Sequence, residues 1–192
     1  MAKRSDKRER LINAAKELFY KQGFSNTTIA DIAKLADVPL GNVYYYFKTK
    51  DEICEAVINE RNIEINNVIT EFNLLNTVKE RLLAIVDFYC VRAEEVSQYG
   101  NIFSSLVQEL SRQQNPLAVK AREILTALTN WLTAQFKEFY SENDAQVNAM
   151  KFLSTLQGMQ VLTLSFQDPS ITAKQAELLK SEIQKFAVTT VA

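Results

Sequence analysis

Residues 27–50, with the sequence TTIADIAKLADVPLGNVYYYFKTK, decide the fold of this chain. Thr28 followed three residues later by Asp31 is typical of a helix N-cap with an acidic first turn, and apolar residues repeat behind it at helical spacing. That helix must end before Pro39, because a proline disfavours the helical conformation at the residue that precedes it. A second short helix, at about 40–47, follows. The stretch therefore predicts two short helices separated by a tight break.

The rest of the chain is also predicted to be helical. A helix at about 7–22 precedes this stretch, and Gly23 ends it. Six further segments show apolar residues at helical spacing, at about 50–72, 77–96, 102–113, 117–140, 144–166 and 170–191. The 4 Gly and 3 Pro residues are too few to punctuate a many-stranded sheet. We therefore predict an all-α fold of about nine helices, with a small head at 1–49 and a larger helical body at 50–192.

The composition excludes several kinds of site. The 192 residues include no His, which removes Ser-His-Asp and Cys-His catalysis and imidazole metal sites. We therefore predict no enzymatic activity and no metal or organic cofactor. The charged N-terminus has no apolar segment of a signal peptide, and the longest uncharged run, 152–167, is shorter than the ~20 residues of a membrane span. A cytoplasmic protein without a membrane role is expected.

Charge is divided unevenly along the chain. Residues 1–50 carry 10 Lys and Arg against 5 Asp and Glu, whereas residues 51–192 carry 12 against 18. A basic head on an acidic body is typical of a protein whose N-terminal part binds a polyanion such as nucleic acid. The pattern is also compatible with a basic arm that is merely solvated.

The helix at 40–47 has residues that suit contacts with DNA. Two short helices behind a first helix form the pattern of a helix-turn-helix module, whose second helix enters the major groove. Gly41 lets the backbone approach DNA closely, and the three tyrosines at 44–46 offer flat rings and hydroxyl groups. Successive residues advance about 100° around a helix, so we expect one tyrosine to pack inward. Lys50 and Thr28, each at a helix start, are candidate phosphate contacts.

The sequences TTIADIA at 27–33 and VPLGNVYYYFKTKDEI at 38–53 resemble the TetR (tetracycline-repressor) family of bacterial transcriptional regulators over about residues 8–55. The resemblance implies an all-helical homodimer that regulates transcription, usually as a repressor, from a pseudopalindromic double-stranded DNA operator. It assigns base and phosphate contacts to Thr28, Pro39, Leu40, Gly41, Asn42, Tyr44, Tyr45, Tyr46, Lys48 and Lys50. Many members have a small polar residue and Lys where this chain has Pro39 and Leu40, and often His at Tyr46. A thymine-methyl contact or shape readout is therefore expected at Leu40.

The resemblance also implies roles for the body. A small apolar or amphipathic effector is expected to bind there and to release the protein from DNA. The nearly apolar helix at 144–166 must be buried on most sides, and in TetR-like proteins the last two long helices form a dimer interface. That interface is assigned to Leu156, Met159, Leu162, Leu179, Ile183 and Phe186. Candidate residues of the effector pocket are Phe88, Tyr89, Phe103, Leu106, Trp131 and Gln157, each of which could instead be plain core.

Two alternatives stay open at this point. The chain could be an all-helical small-molecule-binding or scaffold protein with no DNA role, in which case Tyr44, Tyr46 and Lys50 would pair and pack within the protein. Cys54 and Cys90 could sense oxidants or electrophiles, as some TetR-type regulators do through a thiol, or could be small buried residues.

Overall fold

The structure, a computed structural model, describes the backbone of residues 2–186 and the side chains of residues 6–186. This part of the chain contains eleven α-helices and no strand. They are α1 (Ala2–Gln22), α2 (Ile29–Leu35), α3 (Leu40–Tyr46), α4 (Lys50–Asn73), α5 (Val78–Cys90), α6 (Ala93–Tyr99), α7 (Ser104–Arg112), α8 (Leu117–Ala121), α9 (Glu123–Phe136), α10 (Glu142–Phe166) and α11 (Ser170–Gln184). The prediction of an all-α fold is confirmed.

The helix bounds follow the predicted segments closely, with two exceptions. The segment predicted at 77–96 divides at Val91 and Arg92 into α5 and α6, and the segment at 117–140 divides at Arg122 into α8 and α9. The last predicted helix, 170–191, is described only to residue 186, and its remainder lies outside the described residues. No helix in the described part of the chain is long and apolar enough to cross a membrane.

Local signals in the sequence explain where the helices begin. Thr28 and Thr77 each cap a helix through a capping box, in which the threonine side chain accepts from the third helical amide and the acid at that position accepts from the threonine amide. Ser141 caps α10 in a simpler way, by accepting from the Asp144 amide. Gly23 has a φ of 85°, a left-handed conformation that favours glycine and ends α1.

The contacts divide the described residues into two compact units. The first runs to Glu64 and also includes Ile102–Glu123, and the second comprises Ile65–Asn101 and the residues from Ile124 onward. The helix α7, which lies far along the chain, therefore belongs with the N-terminal helices and packs against α1. The division into functional domains at residue 49 remains a prediction.

Each unit has its own apolar core. In the first unit, the side chains of α1, α2, α3 and α4 bury one face each, and the fully buried residues include Leu11, Ile12, Ile32, Val43 and Ile53. In the second unit, α5 packs on α11, and α10 packs on both α6 and α11. Its fully buried residues include Leu82, Ile85, Leu128, Leu132 and Leu156. Burial of this kind is the main contribution to the stability of each unit.

Candidate nucleic-acid interface

The turn between α2 and α3 is held by a side chain from α1. Arg10 donates from Nε to the carbonyl oxygen of Ala36 at 2.8 Å, and a second guanidinium nitrogen donates to the carbonyl oxygens of Ala36 and Asp37. Asp37 has a φ of 50° and lets the chain reverse after α2. Val38 then turns its side chain into the core, and Pro39 stands at the N-cap of α3. The two short helices are therefore joined by a tight, anchored turn.

One face of α3 is buried and the other is open. Val43 is fully buried, and Phe47, which caps the C-terminus of α3, is buried with it. Other side chains of α3 are exposed: Leu40 by 45%, Tyr44 by 45% and Tyr45 by 59%. The apolar anchor fixes the rotation of α3, so that large side chains point away from the protein at the position that would meet a DNA groove.

The three tyrosines differ in their surroundings. Tyr46 is the least exposed of them, and its ring packs edge-to-face on that of Tyr45 with the centroids 5.3 Å apart. Tyr46 is thus half-buried against its neighbour and not packed in the core beside Val43 and Phe47, where one of the three tyrosines was expected. Tyr44 and Tyr45 are both exposed.

Small and polar residues complete the open surface of α3. Pro39, Gly41, Asn42 and Lys48 are all exposed. A Cβ atom added to Gly41 would meet no described atom within 4 Å, so the backbone of α3 is bare at this point. Gly41 and Tyr44 are one helical turn apart and share a face. These two predicted DNA contacts are therefore brought together on one surface.

Lys48 and its neighbours connect the end of α3 to the start of α4. The Lys48 ammonium donates to the carbonyl oxygen of Tyr44 at the end of α3. The Lys48 amide donates to the carboxylate of Glu52 at 2.7 Å, and the Glu52 amide donates to the hydroxyl oxygen of Thr49 at 3.1 Å. Through Lys48 and Thr49, these hydrogen bonds hold the C-terminus of α3 against the start of α4.

Lys50 is not a free cation in this structure. Its ammonium donates to the carbonyl oxygens of Phe24 at 2.8 Å and Thr27 at 3.0 Å, and it lies 4.2 Å from the centroid of the Phe24 ring. Sequence reasoning assigned Lys50 to a DNA phosphate. In the DNA-free protein the same group instead braces the turn that precedes α2.

The amides at the start of α2 are also engaged. The Thr28 amide and hydroxyl both donate to the carboxylate of Asp31, at 2.9 and 2.6 Å. The side-chain and backbone hydrogen bonds from Thr28 lower the pKa of Asp31, which keeps this carboxylate charged. A DNA phosphate at Thr28 would meet that charge, so Thr28 is a weaker candidate for a phosphate contact than the surface of α3.

The predicted pocket residues fall in both units. Phe103 and Leu106 belong to the first unit, and the other four belong to the second. Within the second unit, the Gln157 amide nitrogen donates to the Tyr89 hydroxyl at 2.9 Å, and burial raises the pKa of Tyr89 well above its usual value. The ring of Phe72 lies between Phe88 and Trp131, with centroid distances of 6.2 and 5.7 Å. This cluster consists mostly of aromatic rings, and the Tyr89 hydroxyl and the Gln157 amide form a polar pair beside them.

The predicted dimer residues fall mainly in the interior of the protomer. Leu156, Met159, Leu179 and Ile183 are buried, so they form the core between α10 and α11 and leave no surface for a second chain. Only Leu162 of the six is exposed, and Phe186 is half-buried. The sequence does not distinguish these buried residues from exposed ones, because a helix that is apolar all round does not reveal which face its own protomer covers.

A different apolar surface is exposed on α10. Val147 is 68% exposed and Phe166 70%, and four further apolar residues are exposed between them, Met150, Val161, Leu162 and Leu164. Gly158 lies on the same face as Val147 and Val161, and a Cβ atom added to it would meet no described atom within 4 Å. We call the surface formed by Val147, Met150, Gly158, Val161 and Leu162 the α10 face.

Neither cysteine is activated. Burial raises the pKa of the Cys54 thiol to about 12, and the side chain is fully buried. Burial also raises the pKa of Cys90, although the nearby Lys180 ammonium opposes this effect. A thiolate is the reactive form of cysteine, so both residues are less reactive than a free thiol near neutral pH.

The anchored turn, the exposed face of α3 and the basic charge of the head together define a helix-turn-helix DNA-binding protein. Comparison with known proteins places it more narrowly. Residues 11–57 match the sequence model of the family described as "Bacterial regulatory proteins, tetR family".

The likeness extends over most of the chain. An HTH-type transcriptional regulator from the lacX 3′ region of Lactococcus lactis subsp. lactis is 30% identical in an alignment of 198 positions that covers 93% of each chain. The HTH-type transcriptional repressor NemR of Escherichia coli K12 is 25% identical over 174 residues, 88% of this chain and 84% of that one. A TetR-family regulator from Agrobacterium tumefaciens has the same fold, with a TM-score of 0.83, 17% identity, and coverage of 95% of this chain and 99% of that one. The chain belongs to the TetR family of DNA-binding transcriptional regulators.

Proposed function

We propose that this regulator is a repressor that binds a pseudopalindromic operator as a homodimer and leaves it when a small effector binds in the second unit. The main observation in support of the DNA-binding surface is that one face of α3 is exposed. Leu40, Gly41, Tyr44 and Tyr45 are exposed while Val43 holds the helix from behind. The likeness to a protein named as a repressor, NemR, favours repression over activation. Such a protein acts in the cytoplasm, where bacterial DNA lies.

On this account, α3 lies in the major groove. Tyr44 and Tyr45 contact sugar and phosphate oxygens through their hydroxyl groups and thymine methyls through their rings, and Leu40 adds a second apolar contact. Lys48 and Asn42 supply the polar contacts beside them. Since Leu40 cannot hydrogen-bond a base edge, part of the sequence specificity comes from the shape of the operator.

The α10 face is the proposed dimer interface. An exposed apolar surface of this kind is typical of a protein–protein contact. Gly158 supports this assignment, because a glycine inside a helix costs about 1 kcal/mol relative to alanine. Apart from the backbone of its own helix, no described atom lies within 4 Å of a Cβ atom added to Gly158. Close approach of the same helix from a second chain would explain why the position lacks a side chain.

The aromatic cluster of the second unit is the proposed effector site. Tyr89 and Gln157 form a polar pair beside the rings of Phe88, Phe72 and Trp131. Effector sites of this type combine apolar walls with a few polar groups that orient the ligand. An apolar or amphipathic aromatic compound that can exchange hydrogen bonds with Tyr89 and Gln157 fits this chemistry.

The test begins with the purified full-length protein and a pool of random-sequence DNA duplexes. Repeated selection should enrich an inverted repeat, and sedimentation of the protein with the enriched duplex should give protein chains in pairs on each duplex. Recovery of no common sequence, or a complex with one chain per duplex, would contradict the proposal.

The effector role is tested with the same duplex. Compounds that raise the melting temperature of the free protein should weaken binding to the enriched duplex, because the two equilibria are linked, by a coupling of about 1–3 kcal/mol. Replacement of Gln157 by Leu should remove or change that coupling. A set of stabilising compounds that leaves the DNA affinity unchanged would overturn this part of the proposal.

A further inference from the structure

The turn between α1 and α2 receives a carboxylate from far along the chain. Glu109 of α7 accepts hydrogen bonds from the Phe24 amide and the Ser25 amide, both at 2.8 Å, and from the Ser25 hydroxyl at 2.6 Å. Two consecutive amides that converge on one anion form a backbone nest. The left-handed conformation of Gly23, with a φ of 85°, turns those amides toward Glu109.

The fit between the turn and Glu109 is close. A Cβ atom added to Gly23 would lie 3.0 Å from the Glu109 carboxylate oxygen, so any larger residue at position 23 would crowd this carboxylate. The Gln113 side chain completes the site by donating to Glu109 at 3.3 Å and to the Ser25 hydroxyl. Burial raises the pKa of Glu109, but the hydrogen bonds from Ser25, Phe24 and Gln113 outweigh it and hold the pKa below its usual value.

The same turn is held from its other side by Lys50. While Glu109 binds the amides of Phe24 and Ser25, the Lys50 ammonium binds the carbonyl oxygens of Phe24 and Thr27. The donors of the turn thus face an anion and its acceptors face a cation. The turn leads directly to the N-cap of α2, and Lys50 is the first residue of α4, just beyond α3. Both ends of the helix-turn-helix module therefore depend on the position of this turn.

We propose that Glu109 is a positioning residue for DNA binding: by holding the Phe24–Ser25 amides it fixes the start of α2 and the place of Lys50, and so sets the orientation of α3. The inference rests on the proposed surface of α3 and adds a residue outside the helix-turn-helix that controls its affinity. Glu109 does not itself touch DNA in this account.

Whether replacement of Glu109 weakens or tightens DNA binding distinguishes a positioning role from a simple electrostatic one. Glu109 is an acid in the unit that binds a polyanion, so loss of its charge alone should leave DNA binding unchanged or make it tighter. Loss of its role in the turn should make binding weaker. Glu109→Gln keeps the size of the side chain but replaces one acceptor oxygen with a donor, which would face an amide or hydroxyl donor of the turn.

The experiment measures binding of wild type and Glu109→Gln to the duplex that wild type enriches from random sequence. A titration at low protein concentration gives Kd, and a titration at high concentration gives the fraction of active protein. We expect Glu109→Gln to raise Kd about tenfold, the effect of losing hydrogen bonds to a charged group, with an unchanged active fraction. A purely structural defect would lower the active fraction and leave Kd unchanged, and this outcome would overturn the inference.

Two variants complete the design. Glu55→Gln is the matched control, because it removes one carboxylate of the first unit whose ion pair is with Lys120 and not with the turn. It should leave Kd within twofold or make it smaller. Ser25→Ala removes the hydroxyl that donates to Glu109 and accepts from Gln113, but it keeps both amide donors. It should therefore raise Kd less than Glu109→Gln, and the two changes should be non-additive when combined.

The outcomes distinguish the two levels of the account. If wild type enriches no DNA sequence, the proposed function fails before Glu109 is tested. If wild type binds and Glu109→Gln binds equally well or more tightly, the positioning role is wrong while the function stands. Should Glu109→Gln not fold, Ser25→Ala decides alone, and a Kd equal to that of wild type would contradict the inference.

Discussion

The Nε atom of Arg10 in α1 lies 2.8 Å from the carbonyl oxygen of Ala36 at the end of α2, and donates a hydrogen bond to it. The same guanidinium reaches the Asp37 carbonyl oxygen and lies 3.2 Å from the Asp37 carboxylate. A planar group with several donors is suited to this task, since it satisfies two carbonyl groups left open at the helix end. Helix α1 thus holds the turn that sets the orientation of α3.

Replacement of Arg10 should test that relationship. Arg10→Ala should lower the free energy of unfolding by about 1–2 kcal/mol, because two carbonyl oxygens lose a charged donor. Arg10→Lys should recover only part of the loss, since an ammonium cannot reach both carbonyls in the same geometry. Urea titration gives the stabilities and DNA titration gives the affinities. A lysine variant equal to wild type in both would show that only the charge at this position matters.

The hydroxyl group of Tyr44 can be tested without disturbing the fold. Tyr44 is exposed and its ring remains in phenylalanine, so Tyr44→Phe should leave the melting temperature unchanged. It should weaken DNA binding roughly fivefold, the value of about 1 kcal/mol for a hydrogen bond. Tyr140→Phe, at an exposed tyrosine of the second unit, serves as the control and should leave DNA binding unchanged. Equal affinities for all three proteins would remove the Tyr44 hydroxyl from the contact surface.

The α10 face predicts how a change at Gly158 affects assembly. Gly158→Lys places a long charged side chain on the proposed interface, where the protomer itself has open space, so it should produce folded monomers that bind the operator weakly. Gly158→Ala should stabilise the isolated protomer by about 1 kcal/mol through helix propensity alone. Sedimentation gives the state of assembly. Gly158→Lys protein that remains a dimer would place the interface elsewhere.

The cysteines should react slowly with thiol reagents. Burial raises the pKa of Cys54 to about 12, so almost no thiolate forms between pH 7 and 9, and the buried side chain must be exposed by local opening before it reacts. Cys90, half-buried, should react first, yet more slowly than a free thiol because its pKa is also raised. Labelling with iodoacetamide between pH 7 and 9 measures both. Rapid labelling of either residue at pH 7 would restore the thiol-sensor hypothesis.

The same pKa shift has a consequence for stability. The Cys54 thiol holds its proton to a higher pH in the folded chain than in the unfolded chain, where the pKa is near 9.0. The contribution to stability is therefore complete below pH 9 and is lost as the pH rises from there toward 12. Replacement of Cys54 by Ala should flatten this part of the pH dependence.

The sequence predicted the helix-turn-helix well because its signals are local. Thr28 and Asp31 are three residues apart, Gly23 ends a helix by its own conformational freedom, and Pro39 limits only its neighbour. Each of these effects acts within one turn of chain, so it can be read without knowing the fold. The open and buried faces of α3 follow in the same way from the position of Val43.

Contacts between distant residues could not be predicted. The partners of Arg10 lie 26 and 27 residues away, and the partners of Glu109 lie 84 and 85 residues away. The spacing of apolar residues along the sequence does not predict such pairs. The hydrogen bonds of Lys50 could not be predicted for the same reason, because only the folded chain brings the Phe24 and Thr27 carbonyls to its ammonium.

The residues of the dimer surface cannot be predicted from hydropathy for another reason. The helix α10 is apolar on most of its circumference, so hydropathy does not distinguish the side that packs on α11 from the side left open. Leu156 and Leu162 are six residues apart and equally apolar, yet the first is fully buried and the second is exposed. Burial in the protomer decides which of them can meet a second chain.

The central claim is that α3 reads the major groove, and chemical protection of DNA tests it most directly. Dimethyl sulfate methylates the N7 atom of guanine in the major groove and the N3 atom of adenine in the minor groove. On the enriched duplex, the protein should protect guanine N7 in two patches about one helical turn apart, or a multiple of it. Adenine N3 should stay reactive. Protection of adenine N3 alone, or no protection of N7 under saturating protein, would contradict the account.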